Sequence, residues 1–159
     1  MAEISNSAKR VQDALTALNI ETKVIELPES TRTAVEAAQA IGTTVAQIVK
    51  SLVFCGKQSG NVVLIEASGV NRVNEKTVGE LIGEPIVKAD ADFVREKTGY
   101  AIGGIPPLGY AHPMGAVLID EDLLQYSELW AAAGTPHAVF RLTPDQLVKI
   151  TGGRIVSIK

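Results

Sequence analysis

Cysteine, histidine and aromatic residues are scarce in this chain of 159 residues, and each shortage excludes a class of function. The single cysteine, Cys55, excludes an internal disulfide framework and is compatible with a reducing compartment. One cysteine and two histidines, His112 and His137, offer too few ligands for a typical zinc site. Aromatic residues make up 4% of the chain, which argues against a sheet that stacks several nucleobases in a row.

Excess basic charge and long apolar runs are also missing. The net charge is −3 at pH 7, whereas broad binding of duplex nucleic acid requires a strongly basic surface. This balance still permits one end of an RNA to bind in a local pocket. No apolar run approaches the roughly 20 residues that span a membrane, and Met1–Asn6 lack the features of a secretory signal. We therefore expect one cytoplasmic domain over residues 1–159, with no membrane and no duplex DNA as partner.

The common catalytic and cofactor motifs are absent as well. The chain has no G-x-S-x-G nucleophile elbow, no G-x-x-x-x-G-K-[ST] phosphate loop and no G-x-G-x-x-G dinucleotide motif. We therefore expect neither a metal nor another cofactor. Of the two histidines, His112 follows a glycine-rich stretch and could contact a ligand, although a loop histidine without a role is the simpler interpretation.

Helical and strand patterns alternate along the chain. Apolar spacing, caps and glycine stops predict helices over 7–18, 33–41, 74–82 and 91–98 and one that begins at Thr143. Apolar runs predict strands over 20–27, 51–55, 61–67, 86–88, 116–119, 129–133 and 138–142. Because some of these strands are joined as hairpins, a mixed α/β (α+β) sheet surrounded by helices fits better than a doubly wound parallel sheet.

The stretch from Gly103 to Gly109 carries the strongest local signal. Three glycines and two prolines in seven positions exclude a regular helix or a central strand. We expect a stiff, exposed loop whose bare backbone can approach another molecule. A tight turn between two strands remains an equally good interpretation of the local composition.

Lys50 is the second unusual feature, because it interrupts an apolar run. Strand alternation places it on the same face as Leu52 and Phe54. If that face is buried, the ammonium needs an anionic partner or a depressed pKa, and both are typical of functional sites. The alternative is that Lys50 begins a strand and extends its charge into water.

Four segments in order, TAVEAAQAIGTTVAQIVKSLVF, TGYAIGGIPPLG, VLIDEDLL and LTPDQLVKITGG, resemble the YbaK/EbsC family. This family comprises editing domains that occur within or beside prolyl-tRNA synthetases. The resemblance runs from about residue 8 to the C-terminus, and the pair of Lys50 with the glycine loop is its most specific part. It implies a compact mixed sheet, partly rolled into a barrel, with helices around it. It also implies hydrolysis of the ester bond in a wrongly charged aminoacyl-tRNA, commonly one built on proline tRNA.

The resemblance assigns roles to particular positions. Lys50 corresponds to the family's key lysine near the terminal adenosine and its phosphate, and Gly103, Gly104 and Pro107 match the loop that lines the aminoacyl pocket. Ile105 and Pro106 complete that loop. Position 106 is proline where serine is common in the family, so a hydroxyl and an N–H are lost there. More loosely, the resemblance places Thr31, Arg32 and Thr33 at the pocket mouth, and the position of His112 after the loop makes it a candidate substrate contact.

These residues suit ester hydrolysis without a side-chain nucleophile. An aminoacyl ester is already activated, so positioning and backbone N–H donors to the developing oxyanion can supply much of the barrier reduction. The implied partners are the 3′ end of an aminoacyl-tRNA and a prolyl-tRNA synthetase. The competing interpretation is a non-catalytic module that holds a nucleotide or the tRNA end.

Overall fold

A computed structural model describes residues 4–159, which form one mixed sheet with helices on both faces. The helices are α1 (Asn6–Ala17), α2 (Ala34–Ile41), α3 (Glu75–Ile82), α4 (Ala91–Thr98) and α5 (Pro144–Thr151). The strands are β1 (Ile25–Glu26), β2 (Ile48–Gly56), β3 (Val62–Ser68), β4 (Ile86–Lys88), β5 (Ala116–Asp120), β6 (Leu129–Ala132), β7 (Ala138–Leu142) and β8 (Arg154–Val156). Two short 3₁₀ segments cover Val45–Gln47 and Glu121–Gln125. The prediction of a mixed α/β fold is confirmed.

The sheet runs in the order β1-β7-β6-β2-β3-β5-β8, and β4 pairs with β2 beside this path. Strands β2 and β3 form a long antiparallel hairpin, whereas β2–β6, β3–β5 and β5–β8 are parallel pairs. Every residue of β3 is buried. The predicted hairpin of two buried strands is therefore the centre of the sheet.

Strand β2 has an interruption on its edge away from β3. Ile48 and Val49 pair with β6 on that edge, and the segment from Phe54 to Gly56 pairs with β4. Between them, no strand among residues 4–159 pairs with residues 50–53 on this edge. The sheet divides at this gap, and Lys50 lies in it.

The two faces of the sheet bury separate apolar clusters. The larger cluster joins α1, α4 and α5 to the sheet and includes Leu64 and Phe140. The second cluster packs Ile65 and Phe54 against Val78 of α3. Because neighbouring residues of β3 point to opposite faces, its whole length is apolar except for Glu66 and Ser68.

The helix ends follow the local sequence signals. Thr33 caps α2 by accepting a hydrogen bond from Glu36 N at 3.1 Å, and Gly42 ends that helix with φ of 85°. A complete capping box begins α5, in which Thr143 and Gln146 each bond the other's backbone N–H. Of the helices in residues 4–159, none has the length and apolarity that crossing a membrane requires.

Two strand predictions need correction. The strand expected over 20–27 is limited to Ile25–Glu26, because the backbone before it is hydrogen-bonded to the side chain of Gln12 instead of to another strand. Gln12 Nε2 donates to Thr22 O at 3.1 Å, and Val24 N donates to Gln12 Oε1 at 2.8 Å. Strand β2 begins at Ile48, three residues before the predicted start, because β6 pairs with its first two residues.

Candidate functional site

A cavity of about 370 Å³ opens at the gap in the edge of β2. Its walls come from four parts of the chain: residues 31–34 before and within α2, residues 48–52 of β2, residues 102–105 of the glycine loop, and residues 130–132 of β6. Val139 of β7 and Ala37 of α2 complete the lining. We refer to this space as the loop cavity. Its lining is mostly apolar, with Lys50 and Arg32 as the charged side chains.

Lys50 lies half-buried on the floor of the loop cavity. Its Nζ donates to the backbone oxygen of Asn71 at 2.9 Å. Burial lowers the pKa of Lys50, the nearby Arg72 lowers it further, and Asp120 acts in the opposite direction. The ammonium group of Lys50 is therefore both hydrogen-bonded and partly desolvated, a pattern that is frequent in functional sites.

The glycine loop forms the opposite wall, but it is less exposed than predicted. Residues 104–108 are buried, because the loop is fastened on both sides. Gly134 N donates to Gly104 O at 2.8 Å, and the hydroxyl of Tyr110 donates to Pro106 O at 2.5 Å. The segment lies between α4 and β5, so the alternative of a tight turn between two strands is wrong.

Two glycines of the loop are required by close packing. Gly103 has φ of 99°, and a Cβ there would lie 2.7 Å from Cγ of Arg32. A Cβ on Gly104 would lie 2.8 Å from the backbone carbon of Thr135. The loop therefore contacts Arg32 on one side and the β6–β7 turn on the other, which brings two of the predicted segments together.

Residues 31–33 line the same cavity as Lys50 and the glycine loop. Thr31 is buried, and its backbone N donates to Pro136 O at 2.6 Å. Its hydroxyl has no hydrogen-bond partner in the part of the chain that the structure describes. Seven residues singled out from the sequence thus meet around one space: Thr31, Arg32, Thr33, Lys50, Gly103, Gly104 and Ile105.

Three of the proposed substrate-binding residues lie outside the lining of the loop cavity. Pro106 and Pro107, in the second half of the loop, are buried away from the cavity, and the carbonyl of Pro106 accepts the bond from Tyr110. His112 is exposed, and its backbone N donates to Lys97 O at 3.2 Å. Within residues 4–159, no group of three or more His, Cys, Asp or Glu side chains is placed to hold a metal ion.

A second cavity, of about 480 Å³, lies on the other side of Lys50. It shares Lys50, Ser51 and Leu52 of β2 and Ile102 and Ile105 of the loop with the loop cavity. Arg72 and Lys88 also line it, together with one carboxylate, Glu75. The two cavities therefore meet at Lys50, and the second is lined by more charged side chains.

Sequence reasoning missed a buried acid below this junction. Glu66 lies opposite Ser51 in the β2–β3 hairpin and is fully buried, and Ser51 Oγ donates to Glu66 Oε2 at 2.7 Å. Burial raises the pKa of Glu66 to about 8, and the bond from Ser51 acts against this rise. The carboxyl is therefore mostly neutral at pH 7. A charged residue in the apolar run of β3 was the available signal.

It also missed Trp130, the only tryptophan of the chain. Trp130 pairs with Ile48 across β6 and β2 and lines the loop cavity. Its predicted strand was correct, but no sequence pattern connected that strand with β2, which lies far earlier in the chain. The indole lies on a cavity wall and offers a fluorescent report on what enters the cavity.

Comparison with known proteins identifies the family of this arrangement. Residues 28–150 match the model of the aminoacyl-tRNA editing domain. The chain is 50% identical to a solved structure described as a candidate trans-editing enzyme for prolyl tRNA synthetase, with a TM-score of 0.92 over 99% of both chains. It is 32% identical to the uncharacterised protein YwhH of Bacillus subtilis, over 94% of each. It is 27% identical to EbsC of Enterococcus faecalis, named as a candidate Cys-tRNA(Pro)/Cys-tRNA(Cys) deacylase, over 76% of this chain and 73% of that protein. With the matched model spanning most of its length, the chain belongs to the aminoacyl-tRNA editing domain family.

Proposed function

We propose that this protein hydrolyses the ester bond of a mischarged aminoacyl-tRNA, with proline tRNA carrying a small wrong amino acid as its substrate. The observation that carries the proposal is the junction at Lys50, where the mostly apolar loop cavity meets a second cavity that Arg72, Lys88 and Glu75 also line. An aminoacylated tRNA end has the same division, because a small amino acid is joined by its ester to a charged nucleotide. The names of the relatives support proline tRNA as the substrate.

In this proposal the amino acid occupies the loop cavity. Residues 31–33 and the glycine loop enclose its side chain, and a backbone N–H of the loop stabilises the oxyanion that forms at the ester carbon. The N–H of Gly104 donates to Ala101 O at 3.2 Å, whereas the N–H groups of Gly103 and Ile105 have no partner among residues 4–159. We therefore assign the donor role to Gly103 or Ile105, with Gly104 allowing the close packing against Thr135.

Lys50 holds the terminal ribose or phosphate at the junction, and Arg72 and Lys88 attract the phosphates that precede it. A water molecule attacks the ester carbon, its proton leaves with the tRNA hydroxyl, and the adjacent ribose hydroxyl orients the water. No side-chain nucleophile takes part. The reaction belongs in the cytoplasm beside a prolyl-tRNA synthetase, since that enzyme produces the mischarged substrate.

The test is a deacylation assay over proline tRNAs charged with proline, alanine, serine and cysteine. We expect one small non-cognate amino acid to be removed much faster than proline. Discrimination by one methylene is worth about 1–3 kcal/mol, so neighbouring substrates should differ by about 10- to 200-fold. Binding of the charged tRNA without any turnover would support the non-catalytic module instead.

A matched pair of lysine variants tests the site within the same assay. Lys50→Ala should abolish deacylation while the thermal unfolding midpoint remains close to that of the wild type. Lys57→Ala removes an exposed lysine from the turn after β2, away from both cavities, and should leave the rate unchanged. Near-normal rates for Lys50→Ala would contradict the assignment of this site.

A further inference from the structure

We propose that Asn71 is a positioning residue that fixes the ammonium of Lys50 at the junction of the two cavities. The inference rests on the proposed function, because it concerns how Lys50 is presented to the tRNA end. Asn71 itself would not touch the reacting atoms. It lies in the turn that follows β3, where its backbone N donates to Ser68 O at 3.0 Å.

The backbone of Asn71 provides the contact with Lys50. Its carbonyl oxygen accepts a hydrogen bond from Lys50 Nζ at 2.9 Å. An ammonium group has three donors, so this bond orients the group and leaves two donors for a substrate. The direction of those two donors depends on where the turn holds the carbonyl.

The side chain of Asn71 fixes the turn. Its Nδ2 donates to Oδ2 of Asp120 at 2.8 Å and to Oδ2 of Asp122 at 2.7 Å. Both amide protons are thus used on two carboxylates. Asp120 is fully buried and also accepts Ser68 N at 3.0 Å, so the anchor belongs to the core of the sheet. Lys159 Nζ holds Asp122 from the other side at 2.9 Å.

Asparagine is required here by charge as well as by shape. Its amide supplies a donor to each of two carboxylates, in addition to the bonds that Ser68 N and Lys159 already provide. Aspartate would have nearly the same shape but would add a third carboxylate and no donor. Removing the amide therefore frees the carbonyl that Lys50 contacts, whereas Asp120 continues to attract the ammonium.

The experiment measures binding, so that loss of hydrolysis in Lys50 variants does not hide the effect. The probe is a minihelix of proline tRNA that carries alanine through a non-hydrolysable 3′-amide bond. Its Kd is measured for the wild type, Asn71→Ala, Lys50→Ala and the double variant. We expect Asn71→Ala to weaken binding about tenfold, the factor that corresponds to about 1.4 kcal/mol. In the Lys50→Ala background the same substitution should have no further effect, since the group it positions is missing.

Asn74→Ala is the matched control, because it also removes an asparagine side chain three residues away. Asn74 Oδ1 accepts Thr77 N at 3.1 Å and caps α3, so its loss should lower the thermal midpoint. It should leave the Kd of the minihelix unchanged. A destabilised fold alone therefore does not imitate the expected result.

Several outcomes overturn the proposal. If Asn71→Ala binds like the wild type, or if it weakens binding equally in both backgrounds, Asn71 does not act through Lys50. If Asn71→Ala does not fold, Asp122→Ala takes its place in the double-mutant comparison, because it removes one of the two carboxylates that hold the Asn71 side chain. We expect Asp122→Ala to raise the Kd about two- to threefold, and to have no effect on the Kd in the Lys50→Ala background. If Lys50→Ala itself does not weaken binding, the role of Lys50 in the proposed function fails as well, and that result is distinct from the others.

Discussion

Replacing Glu66 by glutamine should stabilise the protein at alkaline pH and leave it nearly unchanged at pH 5. Glu66 is fully buried, and burial raises its pKa from 4.5 to about 8. The folded protein therefore keeps this proton at pH values where the unfolded chain has lost it. Because the native state binds more protons in that window, the free energy of unfolding falls as pH rises from 4.5 to about 8, and levels off above it.

The magnitude follows from the size of the shift. Each pH unit in the window costs about 1.4 kcal/mol, so the whole shift is worth about 4–5 kcal/mol of stability by pH 8 to 9. Glutamine has nearly the same shape, can accept the bond from Ser51 and has no charge to desolvate. At pH 5, where Glu66 is neutral in the folded state, the two proteins should differ by only about 1 kcal/mol.

Urea denaturation of the wild type and Glu66→Gln at pH 5, 6, 7, 8 and 9 measures this directly. The difference in unfolding free energy between them isolates residue 66, because the other titrating groups are common to both. Glu80→Gln, at an exposed position of α3, is the matched control and should show no such trend. A difference between wild type and Glu66→Gln that stays constant from pH 5 to 9 would mean that folding does not raise the pKa of Glu66.

Three other predictions concern the loop, the lysine and a helix cap. Gly104→Ala should move the glycine loop, because the new Cβ would lie 2.8 Å from the backbone of Thr135. We expect the deacylation rate to fall more than tenfold and the free energy of unfolding to fall by about 1–3 kcal/mol. An unchanged rate would contradict this role of the packing. The affinity for the amide-linked minihelix should be half lost at a pH below 10.5, since burial and then Arg72 lower the pKa of Lys50 and binding needs its charged form; a midpoint at or above pH 10.5 is the opposing result. Thr143→Ala should cost about 1 kcal/mol in thermal denaturation without changing the rate, because it removes the cap of α5.

The features that the sequence predicts well are those decided within a few residues. The caps of α2 and α5 depend on partners three residues away, and both helices begin where Thr33 and Thr143 predict. The strand expected over 20–27 proved much shorter because a contact between two different elements limits it. Its backbone is bonded by Gln12, on a different element, and no local pattern shows that contact.

At the site, too, contacts between distant segments were not predicted from the sequence. The resemblance to a known family brought Lys50, the glycine loop and residues 31–33 together, although they are far apart in the chain. It did not predict that the loop is buried, since that depends on Tyr110 and the β6–β7 turn. Nor did it reveal the bond between Asn71 and Asp120, which joins residues 49 positions apart. Side-chain networks of this kind depend on the register of strands that a single sequence does not specify.

The interrupted pairing of β2 has a consequence for redesigning substrate preference. The floor of the site, residues 50–53, is hydrogen-bonded along its other edge to β3, the most deeply buried strand. Two of its walls, the glycine loop and residues 31–34, belong to no strand. Substitutions in the walls can therefore alter the volume available to the amino acid while the floor keeps Lys50 in place. Libraries aimed at a new amino acid should vary Arg32, Thr33 and Ile102 and leave β2 intact.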